Sequence, residues 1–200
     1  LQTPSKSDIE KMTIRGQYQG YTEEDGVDKL SETETYFRIK THSTDKKWKG
    51  VPLYLESGKA LDQEKVEVIV TFRHSDQCLC PKGADHYKNV LYYQVQPREG
   101  ATISFWVKKP GAEMVLEEKE FSFDYKKAFE GEEFSDAYER LMANVIKGDQ
   151  TLFVSTEEIL AGWKFVDHIL KGWREGRSPL VTYERGSEEI TTKVLADDNS

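Results

Sequence analysis

The sequence predicts an α+β fold: a large, mostly antiparallel sheet with helices packed on one face. Three observations lead there. Short segments rich in β-branched and aromatic residues recur between residues 33 and 125. The stretches between them are short and carry Gly, Pro or charge, as hairpins require. After Phe134 the apolar period lengthens and two helix-capping signals appear.

In chain order, residues 5–14 read as a short helix leading into a loop, and Gly16, Gly20 and Gly26 punctuate a polar connection. From Thr33 to Thr41 the pattern alternates, with Thr35, Phe37 and Ile39 on one face of a half-buried strand. Further strands are predicted at Val51–Leu55, Val66–Arg73, Val90–Gln96, Thr102–Lys108 and Glu120–Tyr125. Pro97-Arg98-Glu99-Gly100 supplies the turn between two of them. Ser135-Asp136 caps a helix that runs to Lys147 and is closed by Gly148; Ala137, Leu141, Val145 and Tyr138 form its apolar face. Ser155-Thr156-Glu157-Glu158 is a capping box for a second helix reaching about Trp173. Its stripe of Ile159, Trp163, Val166, Ile169, Leu170 and Trp173 is suited to packing on the sheet. Residues 186–200 are polar and acidic and read as a loose tail. Internal repeats and low-complexity tracts are absent.

Composition narrows the classes. The chain has 200 residues, 37% hydrophobic and 32% charged, which suits one soluble domain with a sizeable core. Its formal charge of −8 argues against general nucleic-acid binding, which needs a basic footprint. No apolar run approaches a membrane span, and the first ten residues lack the apolar core of a signal peptide. Cys78 and Cys80 are the only cysteines and sit too close to bridge a large loop, so a reducing cytoplasm is expected.

Three short motifs invite chemical readings. Glu56-Ser57-Gly58-Lys59-Ala60-Leu61 lies between two strands; Gly58 lets the backbone turn or approach a ligand, and Lys59 projects an ammonium suited to a phosphate or sugar hydroxyl. The alternative is a solvated surface lysine, and the motif is not a Walker A loop. His74, Cys78, Cys80 and His86 are zinc-ligand types, but their spacing matches no common zinc pattern, so incidental loop residues are the default and no metal is expected. Asp85-His86-Tyr87 places an acid beside a base, yet adjacent side chains diverge, which makes it a loop dipeptide.

A series of segments resembles the C-terminal domain of the glucose-6-phosphate dehydrogenases. Arg15-Gly16-Gln17-Tyr18 and Ser31-Glu32-Thr33-Glu34-Thr35-Tyr36-Phe37 are similar to the lead into that domain. Trp48-Lys49-Gly50-Val51-Pro52 followed by Gly58-Lys59-Ala60-Leu61 resembles its substrate-side loop. Gln96-Pro97-Arg98-Glu99-Gly100, Lys108-Lys109-Pro110-Gly111, Asp136-Ala137-Tyr138-Glu139-Arg140-Leu141, Gly148-Asp149-Gln150-Thr151-Leu152-Phe153 and Ala161-Gly162-Trp163 continue the match in family order. The likeness covers about residues 13–175.

The resemblance implies a large antiparallel sheet with helices on one side, the sheet also making a homodimer interface. It implies a domain over residues 1–185 and a tail over 186–200. The implied reaction is oxidation of glucose 6-phosphate to 6-phosphogluconolactone with NADP as acceptor, a step of the pentose phosphate pathway. Lys59 is then the residue that meets the sugar phosphate. A second basic contact falls at Glu64, with Lys65 beside it, so Lys65 is a weaker candidate. The family's Rossmann fingerprint and catalytic histidine are not found in this sequence. No catalytic residue is therefore assigned, and the 200-residue chain alone is expected to be inactive. The structural NADP of animal members is not expected either, because two of its positions resemble Glu56 and Gln94 here. An exposed sheet face bearing Tyr92, Tyr93, Phe105 and Trp106 is expected to form the dimer. Leu1 in place of Met suggests an excised part of the enzyme. The alternative is a stand-alone, non-catalytic sugar-phosphate binding or assembly module, and the two differ in what is encoded upstream.

Overall fold

The computed structural model describes residues 1–73, 87–132, 136–188 and 190–191. They comprise α1 (Ile9–Met12), β1 (Thr13–Tyr18), β2 (Tyr36–His42), β3 (Pro52–Gly58), β4 (Val66–Thr71), β5 (Val90–Gln96), β6 (Gly100–Lys108), β7 (Leu116–Asp124), α2 (Tyr125–Ala128), α3 (Ala137–Lys147), α4 (Thr156–Arg174) and β8 (Leu180–Tyr183). The α+β class and the mostly antiparallel strands are as the sequence predicts. Hydrogen bonding divides those strands into two four-stranded sheets, ordered β3-β2-β1-β8 and β4-β5-β6-β7. The chain forms two compact units, Leu1–Asp62 with Asp136–Ser200, and Gln63–Ser135.

In the first unit β2 pairs antiparallel with both β1 and β3, and β8 joins β1 in parallel. One face of this sheet turns Phe37 and Ile39 toward Ile9 of α1 and toward Phe165, Ile169, Leu170 and Trp173 of α4. The Trp173 indole N–H donates to Thr13 Oγ1 at 2.8 Å, and the Thr13 hydroxyl donates to the Ile9 carbonyl at 2.7 Å, so neither group is left unpaired in this core. The opposite face gathers Tyr18, Tyr36 and Tyr183, whose rings meet edge to face, together with Ile190. Ile190 is buried, so the polar segment after residue 185 carries an apolar anchor.

Two strands of this unit lie outside the predicted set. Residues 13–18, read as the end of a helix and a loop, are β1. Both of its faces are covered, so the period-two signal is lost. Gly16 sits inside the strand because a Cβ there would meet Ile190 Cδ1 at 2.6 Å and the Val181 carbonyl at 3.2 Å. The other strand is β8, four residues long and too short to show a period.

The helices follow their caps. Asp136 accepts from the Tyr138 N–H at 2.8 Å at the start of α3, and Gly148 closes it with φ of 68°. Tyr138, Met142, Val145 and Ile146 remain exposed on α3. At α4, Ser155 Oγ accepts from the Glu158 N–H at 3.2 Å, and Glu158 accepts from the Ser155 N–H at 2.7 Å. The predicted stripe packs on the sheet only through its C-terminal half, Ile169, Leu170 and Trp173. Ile159, Trp163 and Val166, earlier on the same stripe, are exposed.

The second unit is an antiparallel meander. Its register aligns Val68, Tyr93, Ala101 and Phe123 across the four strands, and Val70, Leu91, Ile103 and Phe121 in the next row on the same face. The rows between them, Ile69-Tyr92-Thr102-Ser122 and Thr71-Val90-Ser104-Glu120, belong to the other, more polar face. Tyr92, Tyr93, Phe105 and Trp106, expected to share a face, therefore divide two and two. Neighbours in a strand point to opposite sides, so Tyr93 and Phe105 lie on the apolar face and Tyr92 and Trp106 on the polar one. Phe105 stacks on Phe121 with centroids 5.5 Å apart, in keeping with that register.

Candidate functional site

Lys59 follows the last residue of β3, and its side chain is exposed, without an ion pair among the described residues. Its backbone is held from both sides. The Lys59 N–H donates to the Thr35 carbonyl at 2.8 Å, and the Lys59 carbonyl accepts the Tyr183 hydroxyl at 2.7 Å. The next residue, Ala60, adopts a left-handed φ of 52°, a conformation that costs an alanine about 1–2 kcal/mol. The Gly186 N–H donates to its carbonyl at 2.8 Å and helps to hold it there.

Gly58 contributes by what it lacks. A Cβ on it would stand 2.8 Å from Tyr36 Cδ2 and 2.9 Å from Leu61 Cδ1. Close packing of the turn on the tyrosine floor, rather than a left-handed backbone, thus requires this glycine. Beneath the turn, Tyr36 donates to Glu56 Oε1 at 3.0 Å, and Glu56 Oε2 lies 3.9 Å from the Arg38 guanidinium. Burial, and then the Glu56 charge, push the Tyr36 phenol well above the ordinary tyrosine range. Burial likewise raises Tyr183. Both phenols are therefore neutral donors at physiological pH. The arrangement presents one mobile ammonium on a rigid turn, suited to an anionic oxygen or a hydroxyl.

Lys65 belongs to the second unit. Its ammonium lies 2.7 Å from Glu67, at an open depression of about 520 Å³ lined also by Gln63, Glu64, Gln94, Gln96, Pro97 and Arg98. Two acids and two bases face this hollow, and an opposed pair of charges does not favour an anion as a lone lysine does. The structure thus leaves Lys59 and Lys65 in different units and different electrostatic surroundings. His74, Cys78, Cys80, Asp85 and His86 lie outside the described residues. Among the described residues, no group of three or more His, Cys, Asp or Glu side chains could hold a metal ion, and no helix is long and apolar enough to cross a membrane.

The sequence model of the glucose-6-phosphate dehydrogenase C-terminal domain matches residues 1–198. The chain belongs to that family. It is 33% identical to the glucose-6-phosphate 1-dehydrogenase of Borreliella burgdorferi over 198 residues, covering 94% of this chain and 41% of that protein. To the enzyme of Aggregatibacter actinomycetemcomitans it is 36% identical over 198 residues, 94% of this chain and 39% of that one. It thus spans about two fifths of the length of these curated relatives. Among solved structures it resembles a glucose-6-phosphate dehydrogenase in complex with its substrate glucose-6-phosphate, with a TM-score of 0.77 and 26% identity over 90% of this chain and 38% of that one. It also resembles glucose-6-phosphate 1-dehydrogenase from Mycobacterium avium, with a TM-score of 0.70 and 28% identity over 88% of this chain and 36% of that one.

A helix start with free backbone N–H groups is one place where a phosphate binds. At α3 the Asp136 carboxylate caps that position, and at α4 Ser155 and Glu158 cap it between them. The residues that sequence reasoning missed are the supports of the Lys59 turn. Thr35, expected in a strand beside Phe37 and Ile39, instead lies one residue before β2 and bonds Tyr183, and Tyr183 lies 124 positions from Lys59 with no local signal connecting them.

Proposed function

We propose that residues 1–185 form the substrate-side and dimerisation domain of an NADP-dependent glucose-6-phosphate dehydrogenase, with 186–200 as its tail. The observation that carries this reading is the family match over residues 1–198, joined to likeness in fold to a dehydrogenase bound to glucose-6-phosphate. The whole enzyme then oxidises glucose 6-phosphate to 6-phosphogluconolactone in the cytoplasm, as a step of the pentose phosphate pathway. NADP belongs to a Rossmann domain of the same enzyme. Within this chain Lys59 is the direct contact to the sugar phosphate, supported by its free ammonium on a fixed turn. Lys65, engaged by Glu67, is at most an auxiliary contact. The apolar face of the second sheet pairs with its copy in a homodimer.

The test is an assay of the complete protein. Glucose 6-phosphate should drive NADP reduction at a rate far above that with glucose or fructose 6-phosphate, and the isolated 200-residue chain should give none. A complete protein that binds glucose 6-phosphate without oxidising it would overturn the enzymatic reading.

A further inference from the structure

We propose that Tyr183 is a positioning residue for Lys59: its hydroxyl latches the Lys59 carbonyl and so aims the ammonium at the sugar phosphate. The proposal rests on the reading of Lys59 as the phosphate contact. Tyr183 is 2% exposed, and its ring alone would satisfy the apolar cluster of Tyr18, Tyr36 and Ile190. A phenylalanine would serve that cluster as well, so the hydroxyl has a separate role. It lies 2.7 Å from the Lys59 carbonyl, 2.9 Å from Thr35 Oγ1 and 3.2 Å from the Thr35 carbonyl.

The donors order themselves. The Tyr18 N–H donates to Thr35 Oγ1 at 3.0 Å, which leaves the Thr35 hydroxyl proton free to point at Tyr183. Tyr183 has one proton, and its shortest acceptor is the Lys59 carbonyl. The relay runs from Tyr18 to Thr35 to Tyr183 to Lys59, joining the ends of four strands, β1, β2, β8 and β3. With the Lys59 N–H bound to Thr35 and the Lys59 carbonyl bound to Tyr183, both peptide groups around the Lys59 Cα are tied, and the Ala60 carbonyl, bound to Gly186, ties the next. Only the side chain is left to move. A flexible lysine on a wandering turn would face a larger entropic loss on meeting a phosphate, and the latch removes the backbone share of that loss.

The experiment is a double-mutant cycle in the complete enzyme, read as KM for glucose 6-phosphate, with kcat and KM for NADP as internal controls. Tyr183→Phe should raise KM for glucose 6-phosphate about three- to ten-fold, the scale of one hydrogen bond, with kcat changed less than about two-fold. In a Lys59→Ala background the same substitution should leave KM unchanged, because nothing remains to be aimed. An unaltered KM in Tyr183→Phe overturns the latch, and so does an equal rise in the Lys59→Ala background. If Lys59→Ala itself leaves KM unchanged, the reading of Lys59 fails, and the proposal with it. Should Tyr183→Phe not fold, Thr35→Val removes the hydroxyl that donates to Tyr183 and so weakens the latch without deleting it; the same cycle should then show a smaller rise in KM that vanishes in the Lys59→Ala background, and an unaltered KM overturns the latch.

Discussion

Gly172 of α4 lies against Ile9 so closely that a Cβ on the glycine would stand 2.2 Å from Ile9 Cδ1 and 3.3 Å from its Cγ2. Ile9 is fully buried among Ile39, Phe165, Ile169 and Trp173, and has nowhere to swing. Gly162, ten residues earlier in the same helix, has nothing within 4 Å of its absent Cβ. The two glycines should therefore respond oppositely to alanine. Gly162→Ala should stabilise by about 0.5–1 kcal/mol through helix propensity. In Gly172→Ala the same gain is outweighed by overpacking of about 1–3 kcal/mol, giving a net loss. Urea unfolding of both variants decides it, and stabilisation by Gly172→Ala would show that the α1–α4 contact is slack.

The tyrosine floor makes a second prediction, in alkali. Burial raises the folded-state pKa of both Tyr36 and Tyr183, Glu56 adding to the effect at Tyr36. In the unfolded chain these phenols lose their protons near the usual value of about 10. The stability they contribute is complete below about pH 10 and is lost as pH rises from there through the folded values. The difference in urea midpoint between wild type and Tyr183→Phe should thus be constant from pH 7 to 9 and shrink above pH 10. A difference that does not change up to pH 11 would mean that the hydroxyl ionises freely in the fold.

How much of this was legible in the sequence depends on where the decisive contact lies. The limits of α3 and α4 are set by Asp136, Gly148 and the Ser155–Glu158 box, all local, and the prediction met them within a residue. Strand β5 was read at its observed limits, since it begins and ends against turn signals. Strand β1 was not, because Gly16, a loop residue by propensity, is required there by Ile190 and Val181 far along the chain. The face to which Tyr92 and Tyr93 belong follows from register across strands rather than from composition. At the site, Gly58-Lys59 stood out as a motif, but the latch that holds it is a tertiary hydrogen bond to Tyr183.

Lys59 itself carries a third prediction. Its side chain is exposed and buries little, so Lys59→Ala should alter stability by under about 1 kcal/mol. A charge-assisted hydrogen bond to substrate is worth about 1.5–3 kcal/mol, or roughly 10- to 150-fold in kcat/KM for glucose 6-phosphate. Lys59→Arg should restore little, because a planar fork replaces a compact ammonium. Steady-state kinetics of the complete enzyme check this, and an unchanged kcat/KM would reduce Lys59 to a solvated charge.

The last prediction concerns the open sheet of the second unit. Val68, Tyr93, Ile103, Phe121 and Phe123 share one face by register and are all exposed, Phe121 at 73%. A face of this kind seeks cover, and a two-fold pairing with its own copy would bury each residue twice. Burying one phenylalanine is worth about 1.5–3 kcal/mol, so Phe121→Glu removes about 3–6 kcal/mol per dimer before the cost of burying the new charge. That corresponds to a dimer dissociation constant raised more than about 100-fold. Ser122→Glu, on the opposite face of the same strand, should leave association unaltered. Light scattering at micromolar concentration should show a dimer for wild type and Ser122→Glu and a monomer for Phe121→Glu. A monomeric wild type would mean that this face meets something other than its copy. A dimer insensitive to Phe121→Glu would place the interface elsewhere on the molecule.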